Sequence, residues 1–392
     1  MIQITPYYSH PRKEDILNLY LSIVADVVPF YPEDVLNGHP RKTKGPKAAF
    51  RRRTDLYNKK LNDYKIKSVL NDTAEKRKND ALLAEAIIAS YSATLHDKLY
   101  TGYKDGHVDP DHLQELLTVR MDGGELKEDF EFDDKSKSGS QVSKDMLEYV
   151  FRYEAFSKHE KLYELIGMLG VEVCPYCNRQ FITTYAPSKN GSGKSMTTSK
   201  ARPQLDHFKV KTEHPHLALS INNLIPCCGV CNHMKGDRGA TTLYPYSEGM
   251  GDTYKFKTTI PGHNLLIAQV LTGAPIAPEH FDIALDYAGN SVDKDFRKRV
   301  EASKNIFALE GLYQSHKGYV SDMYFHRYII TEKMIDSIMD QFGELFESRD
   351  AVRQALMLAD TSPDTLGKRP LAKLTKDIKE EIEEYYARIQ LS

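Results

Sequence analysis

Cys174-Pro175-Tyr176-Cys177 opens the stretch whose reading decides this fold, and Cys228-Gly229-Val230-Cys231-Asn232-His233-Met234-Lys235 closes it. Between them lie Leu205-Asp206-His207-Phe208 and Asn222-Asn223-Leu224-Ile225-Pro226. All five cysteines of the chain fall in this one segment. A disulfide framework spreads its bridges along a chain, whereas two CxxC pairs about fifty residues apart are the spacing of a tetrahedral metal site. Cys174, Cys177, Cys228 and Cys231 are therefore the expected ligands of a structural zinc ion, because two knuckles present four soft thiolates with little strain. Cys227 lacks a partner at the required gap and reads as a core residue. No thioredoxin-like unit surrounds either CxxC pair, which argues against a redox role.

The residues between the knuckles read as strand, loop, strand and helix. Arg202 to Phe208 is extended, Leu217 to Leu224 leads into the second knuckle, and a helix runs through Asn232 to Lys235. Asp206 offers a carboxylate and Asn232 an amide carbonyl, the oxygen donors that a hard divalent ion such as Mg²⁺ or Mn²⁺ prefers. His207 can take a proton from water. Neighbouring residues on a strand point to opposite faces, so Asp206 can hold an ion while His207 meets a substrate.

These residues resemble the HNH (ββα-metal) endonucleases. The likeness rests on LDHF, NNLIPCC and CNHMK flanked by CPYC, and it covers about a sixth of the chain. It implies that His207 is the general base and Asp206 the metal-binding acid. It also implies that Asn223 braces the loop that bears the base. Asn232 stands where the family has its last ligand, with His233 beside it as the alternative. Lys235 matches a basic residue after the helix start, and with Arg238 it is expected to meet nucleic acid. Leu217-Ala218-Leu219-Ser220, Lys235-Gly236-Asp237 and the Phe281 to Phe307 region are similar to a bacterial subgroup. That subgroup comprises HNH nucleases of Septu-type and retron-associated antiphage systems, and its members often stand beside an ABC/SMC-like ATPase. What the resemblance implies is an endonuclease on double-stranded DNA, with such an ATPase as a partner. Two alternatives stay open: a zinc-knuckle nucleic-acid-binding or scaffolding protein with an inactive site, and an effector that cleaves RNA or tRNA.

A chain of 392 residues exceeds one ordinary core. The expected class is α+β: a mostly helical chain around a central zinc-stapled ββα-metal (HNH) nuclease module. An N-terminal helical domain covers 1–122, with helices over 12–28, 54–72 and 74–103 and a short one after Asp109. An acidic, then Ser/Gly/Lys-rich linker or mobile loop covers 123–143. The nuclease module spans 144–250 and begins with one helix over 145–169, for which Gly170 is the expected C-cap. A mostly helical domain covers 251–392. In it, Tyr254 to Ile260 and His280 to Tyr287 are extended, as is Leu243 to Tyr246 just before it. Helices follow over 293–309, 313–345, 349–359 and 370–390.

Arg41 to Arg53 (RKTKGPKAAFRRR) holds seven basic residues and no acid, which makes Arg51, Arg52 and Arg53 candidate phosphate contacts. Gly191-Ser192-Gly193-Lys194-Ser195 fails as a phosphate loop, since Ser188 stands where the first glycine is needed. The segment reads as a hairpin tip. His214 and His216 read as loop residues. The net charge of −2 neither favours nor excludes a polyanionic partner, because local fields decide that. No apolar run is long enough to span a bilayer, and the N-terminus lacks a secretory layout. Both point to the cytoplasm and to no membrane partner.

Overall fold

The structure, a computed structural model, describes residues 1–27, 117–119, 121–122, 125–126, 151, 153–186, 200–238, 241–260, 276–289, 293–357 and 366–390. The helices expected over 54–72 and 74–103, the Arg41 to Arg53 run, most of the linker and the 187–199 tip lie outside the described residues. No described helix is long and apolar enough to cross a membrane.

Helix α1 (Lys13–Val27) forms where expected. Its buried residues Ile16, Tyr20, Ile23, Val24 and Val27 recur at helical spacing and make one apolar stripe. A two-residue hairpin follows, β1 (Met121–Asp122) against β2 (Glu125–Leu126), with Met121 opposite Leu126. The boundary expected at 122/123 therefore falls between two paired strands.

The single helix expected over 145–169 is broken among the described residues into α2 (Tyr153–Ser157) and α3 (Leu162–Leu169). At the break, the Arg202 guanidinium donates to the Ser157 carbonyl at 2.7 Å. The Lys161 amide donates to His159 Nδ1 at 3.3 Å. Gly170 does cap α3, at φ 64°, a left-handed conformation that glycine adopts without steric penalty.

The centre is an antiparallel pair, β3 (Gln204–His207) and β4 (Leu224–Cys227), followed by helix α4 (Gly229–Lys235). Asp206 lies opposite Ile225 and His207 opposite Leu224. The ladder separates two cores. Leu205 and Leu224 join α1, α2 and α3 on one side, while Ile225 and Cys227 join the other cysteines on the second.

A third ladder pairs β5 (Tyr254–Thr259) with β6 (Asp282–Tyr287). His280, expected at the head of that strand, sits in a 3-10 turn, and among the described residues Leu243 to Tyr246 joins no ladder. The helices expected over 293–309 and 313–345 are divided into α5 (Lys294–Ile306), α6 (Leu309–Tyr313), α7 (Lys317–Ile329) and α8 (Glu332–Phe342). Ala308 in the left-handed region at φ 44° marks one break. Thr331 marks another, its side chain capping α8 through the Met334 amide. After α9 (Arg349–Met357), helix α10 (Ala372–Gln390) closes the fold. Asp377 and Glu381, one turn apart on α10, accept from the Phe256 and Thr258 amides, so the helix covers the outer edge of β5.

The sequence divisions at 122/123 and 250/251 are not packing boundaries. Met1, the five cysteines, Phe256, Tyr313 and Leu374 share one buried cluster. Tyr20 and Phe156 share the other with Leu224.

Candidate functional site: a cysteine cluster beside a polar cleft

Cys174, Cys177, Cys228 and Cys231 are buried, and their sulfurs lie within 4.8 Å of one another. The Cys177 and Cys228 sulfurs are 4.0 Å apart. Tetrahedral zinc with bonds near 2.3 Å sets sulfurs about 3.8 Å apart, so the four thiols could hold a zinc ion. Local backbone supports each knuckle. The Arg179 amide donates to Cys177 Sγ and the Cys231 amide to Cys228 Sγ, both at 3.4 Å. Asn178, at φ 52°, makes the tight turn after the first pair, a conformation its short polar side chain tolerates. Cys227 stands outside the cluster, buried on β4.

Helix α4 packs across the β3 face that bears Gln204 and Asp206. Cys228 is its N-cap, accepting from the Cys231 amide, and the Gln204 side chain lies against Gly229. Cys231 and Lys235, one turn apart, are buried, while His233 is exposed. Asn232 faces a cleft of about 410 Å³ and donates its amide nitrogen to Gln204 Oε1 at 2.7 Å. The same cleft is lined by Asp206 and His207, together with Tyr153, Arg202 and Lys211. Of the two residues weighed as the last ligand, Asn232 lines the cleft and His233 does not.

Asp206 is 3% exposed and already engaged. Its carboxylate accepts from the Tyr176 hydroxyl at 2.6 Å and from the Lys235 ammonium at 3.1 Å. Burial raises its pKa, and the Lys235 charge opposes that shift. Burial also pushes the Tyr176 phenol up, so it stays a donor. Lys235 is fully buried and also donates to the His207 carbonyl at 2.7 Å. This corrects the expectation that it meets nucleic acid: its ammonium is spent inside the module. Arg238 is exposed beyond the helix, and Arg51, Arg52 and Arg53 lie outside the described residues.

Lys235→Met should cost about 3–5 kcal/mol, because it strands a buried carboxylate. Adding Asp206→Asn should recover much of that loss. Urea unfolding of both single variants and the double variant measures the coupling, and additive losses would deny it.

His207 points to the other face of β3. Its Nε2 lies 2.9 Å from the Ala218 carbonyl, which can only accept, so Nε2 carries the hydrogen and Nδ1 keeps the lone pair. Burial pushes the ring down to about 4, against the pull of that carbonyl. Tyr153 packs edge-on against the imidazole with centroids 4.4 Å apart, and its hydroxyl donates to the Leu205 carbonyl at 3.1 Å. Its own phenol is pushed up to about 12 by burial.

Asn223 is fully buried and spans the loop. It accepts from the Lys209 amide at 2.7 Å and donates to the Lys209 and Leu217 carbonyls at 3.0 and 3.1 Å. It therefore fixes the segment that carries Ala218, and Ala218 in turn fixes His207. Asn222, which alone suggests only a turn, donates to the Thr118 and Val119 carbonyls.

Sequence reasoning missed Tyr176, Tyr153 and Gln204. Tyr176 lay inside the first knuckle motif, where a buried hydroxyl calls for a partner. Tyr153 gave no signal beyond an apolar helix face.

Comparisons with family models, with curated proteins and with solved structures found no match.

Proposed function

We propose that this chain is a metal-dependent HNH-type endonuclease that hydrolyses phosphodiester bonds, in double-stranded DNA. The supporting observation is one cleft that joins a neutral, tethered imidazole to a carboxylate and an amide, with cations on its wall. Zinc at the four cysteines has a structural role in this reading. Asp206 and Asn232 are hard oxygen donors on one cleft, a set that suits Mg²⁺ or Mn²⁺. Such an ion, when bound, would neutralise phosphate charge and favour departure of the leaving oxygen.

The protein's own groups do the rest. His207 Nδ1 accepts a proton from the attacking water while Ala218 holds the opposite edge of the ring. The water oxygen bonds to phosphorus and the bond to the 3′-oxygen breaks, leaving a 5′-phosphate. The leaving oxygen takes its proton from solvent. Arg202 and Lys211 draw the phosphate in. Service in antiphage defence, in the cytoplasm and beside an ABC/SMC-like ATPase, is a proposal that rests on the sequence resemblance alone.

A zinc-stapled scaffold without hydrolysis is the competing reading. It gains support from Asp206, whose carboxylate is already paired with Lys235. Supercoiled plasmid separates the two. Zinc-loaded protein should nick or linearise it as Mg²⁺ or Mn²⁺ is added and leave it intact without them. Intact plasmid at every ion concentration would leave the scaffold standing.

A further inference from the structure

Beside the cleft, aromatic rings carry cations on their faces. The Lys200 ammonium lies 5.4 Å, and the Arg202 guanidinium carbon 6.0 Å, from the centroid of Tyr163 on α3. The Lys211 ammonium lies 5.9 Å from the centroid of Tyr153. Ala201 exchanges both backbone hydrogen bonds with Tyr185, at 2.7 and 2.9 Å, so the chain here is extended. Lys200 and Arg202 therefore project from the same side of it. Arg202 is fixed further by donating to the Ser157 and Pro203 carbonyls. Arg202 and Lys211 line the cleft that His207 lines.

We propose that Lys200, Arg202 and Lys211, held against Tyr163 and Tyr153, form a track for the sugar-phosphate backbone on one side of the cleft. This deepens the endonuclease reading and rests on it. Among the described residues these three cations sit against rings and carbonyls rather than carboxylates, so their charge is not cancelled locally. A ring face gives a long, flexible cation a preferred direction, which lowers the entropy lost when it meets a phosphate. Because cations already cover these ring faces, the track offers charge rather than base stacking. The ligand it fits is the repeating phosphate, not a particular base. Asp237, on the cleft without such a ring, repels a polyanion and leaves the cationic wall as its seat.

The test is binding of a labelled DNA duplex of about 30 base pairs, followed by anisotropy across a salt series with no added divalent ion. Zinc-loaded wild type is compared with Lys200→Ala, Lys211→Ala, the double variant and His207→Ala. Each lysine removed should lower the slope of log affinity against log salt by about one, and both together by about two. His207→Ala should keep the wild-type slope. A double variant that binds with the wild-type slope would overturn the track while leaving the cleavage chemistry untouched. Wild type that cuts plasmid yet shows no salt-dependent hold on the duplex would overturn it too. Failure of both binding and cleavage would remove the endonuclease reading along with the track.

Discussion

Cys231→Ser, or a chelator strong enough to strip zinc, should unfold the middle of this protein rather than soften one loop. Structural zinc in small thiolate sites contributes about 10–16 kcal/mol near neutral pH, as much as the whole stability of an ordinary domain. The reach of the site follows from what hangs on the first knuckle. The Ile2 amide donates to the Pro175 carbonyl at 2.9 Å, and the Tyr313 hydroxyl to the Cys177 carbonyl at 2.7 Å. Asn178 donates to the Leu366 carbonyl and accepts from the Lys373 amide, which ties the start of α10 to the same turn. Loss of the metal should therefore release the N-terminal segment and the C-terminal helix together. Metal analysis of freshly purified protein should find about one zinc per chain. The variant or stripped protein should melt lower by more than about 10 °C, or lose its cooperative transition, since 1 kcal/mol moves a domain of this size by about 2–4 °C. Zinc-free protein with an unshifted melt would reduce the cluster to four buried thiols.

That the centre could be read from sequence, and its surroundings less so, has a physical reason. Metal ligands must meet at bond distance, so a spacing that suits zinc foretells that Cys174, Cys177, Cys228 and Cys231 come together, as they do. The β3–β4–α4 order was legible in the extended run ending at Phe208, the apolar run through Leu224 and the helix start at the second knuckle. Periodicity says which face of a helix is apolar, and that placed α1 within a residue of its ends. It does not say what lies opposite. At the break after Ser157, the Ser157 carbonyl accepts from Arg202, 45 residues away, a partner that no local pattern announces. Lys235 gives no local sign of being buried. Its place is set by Asp206, a carboxylate brought beneath α4 only when the hairpin forms. The clusters also reach across the divisions at 122/123 and 250/251. A change in composition marks where chain character shifts, but Tyr20 and Leu374 are drawn into cores whose other members lie far along the chain.

His207→Ala should lower plasmid cleavage by about 10²–10⁴-fold, the usual contribution of a positioned general base. Zinc content and melting should stay close to wild type, because the ring is held by a loop carbonyl and one aromatic edge rather than by the knuckles. The pH dependence separates a base from a mere spacer. A base acts when deprotonated, and burial holds this imidazole near 4, below the ordinary value of about 6.5. Wild-type cleavage should therefore hold steady as the pH falls from 8 to about 6, where an exposed histidine would already be losing its lone pair. Asn223→Ala should act through the same ring without touching substrate. With the Lys209 and Leu217 carbonyls no longer bound, the Ala218 carbonyl is less firmly placed, and Nδ1 loses its aim. The expected pattern is a fall in kcat with little change in DNA affinity, smaller than that of His207→Ala. The double variant should be no worse than His207→Ala alone, since both changes disable one group. Strictly additive losses would mean that Asn223 serves the fold or the substrate by a route that does not pass through the imidazole. Full activity in His207→Ala would remove the imidazole from the chemistry altogether.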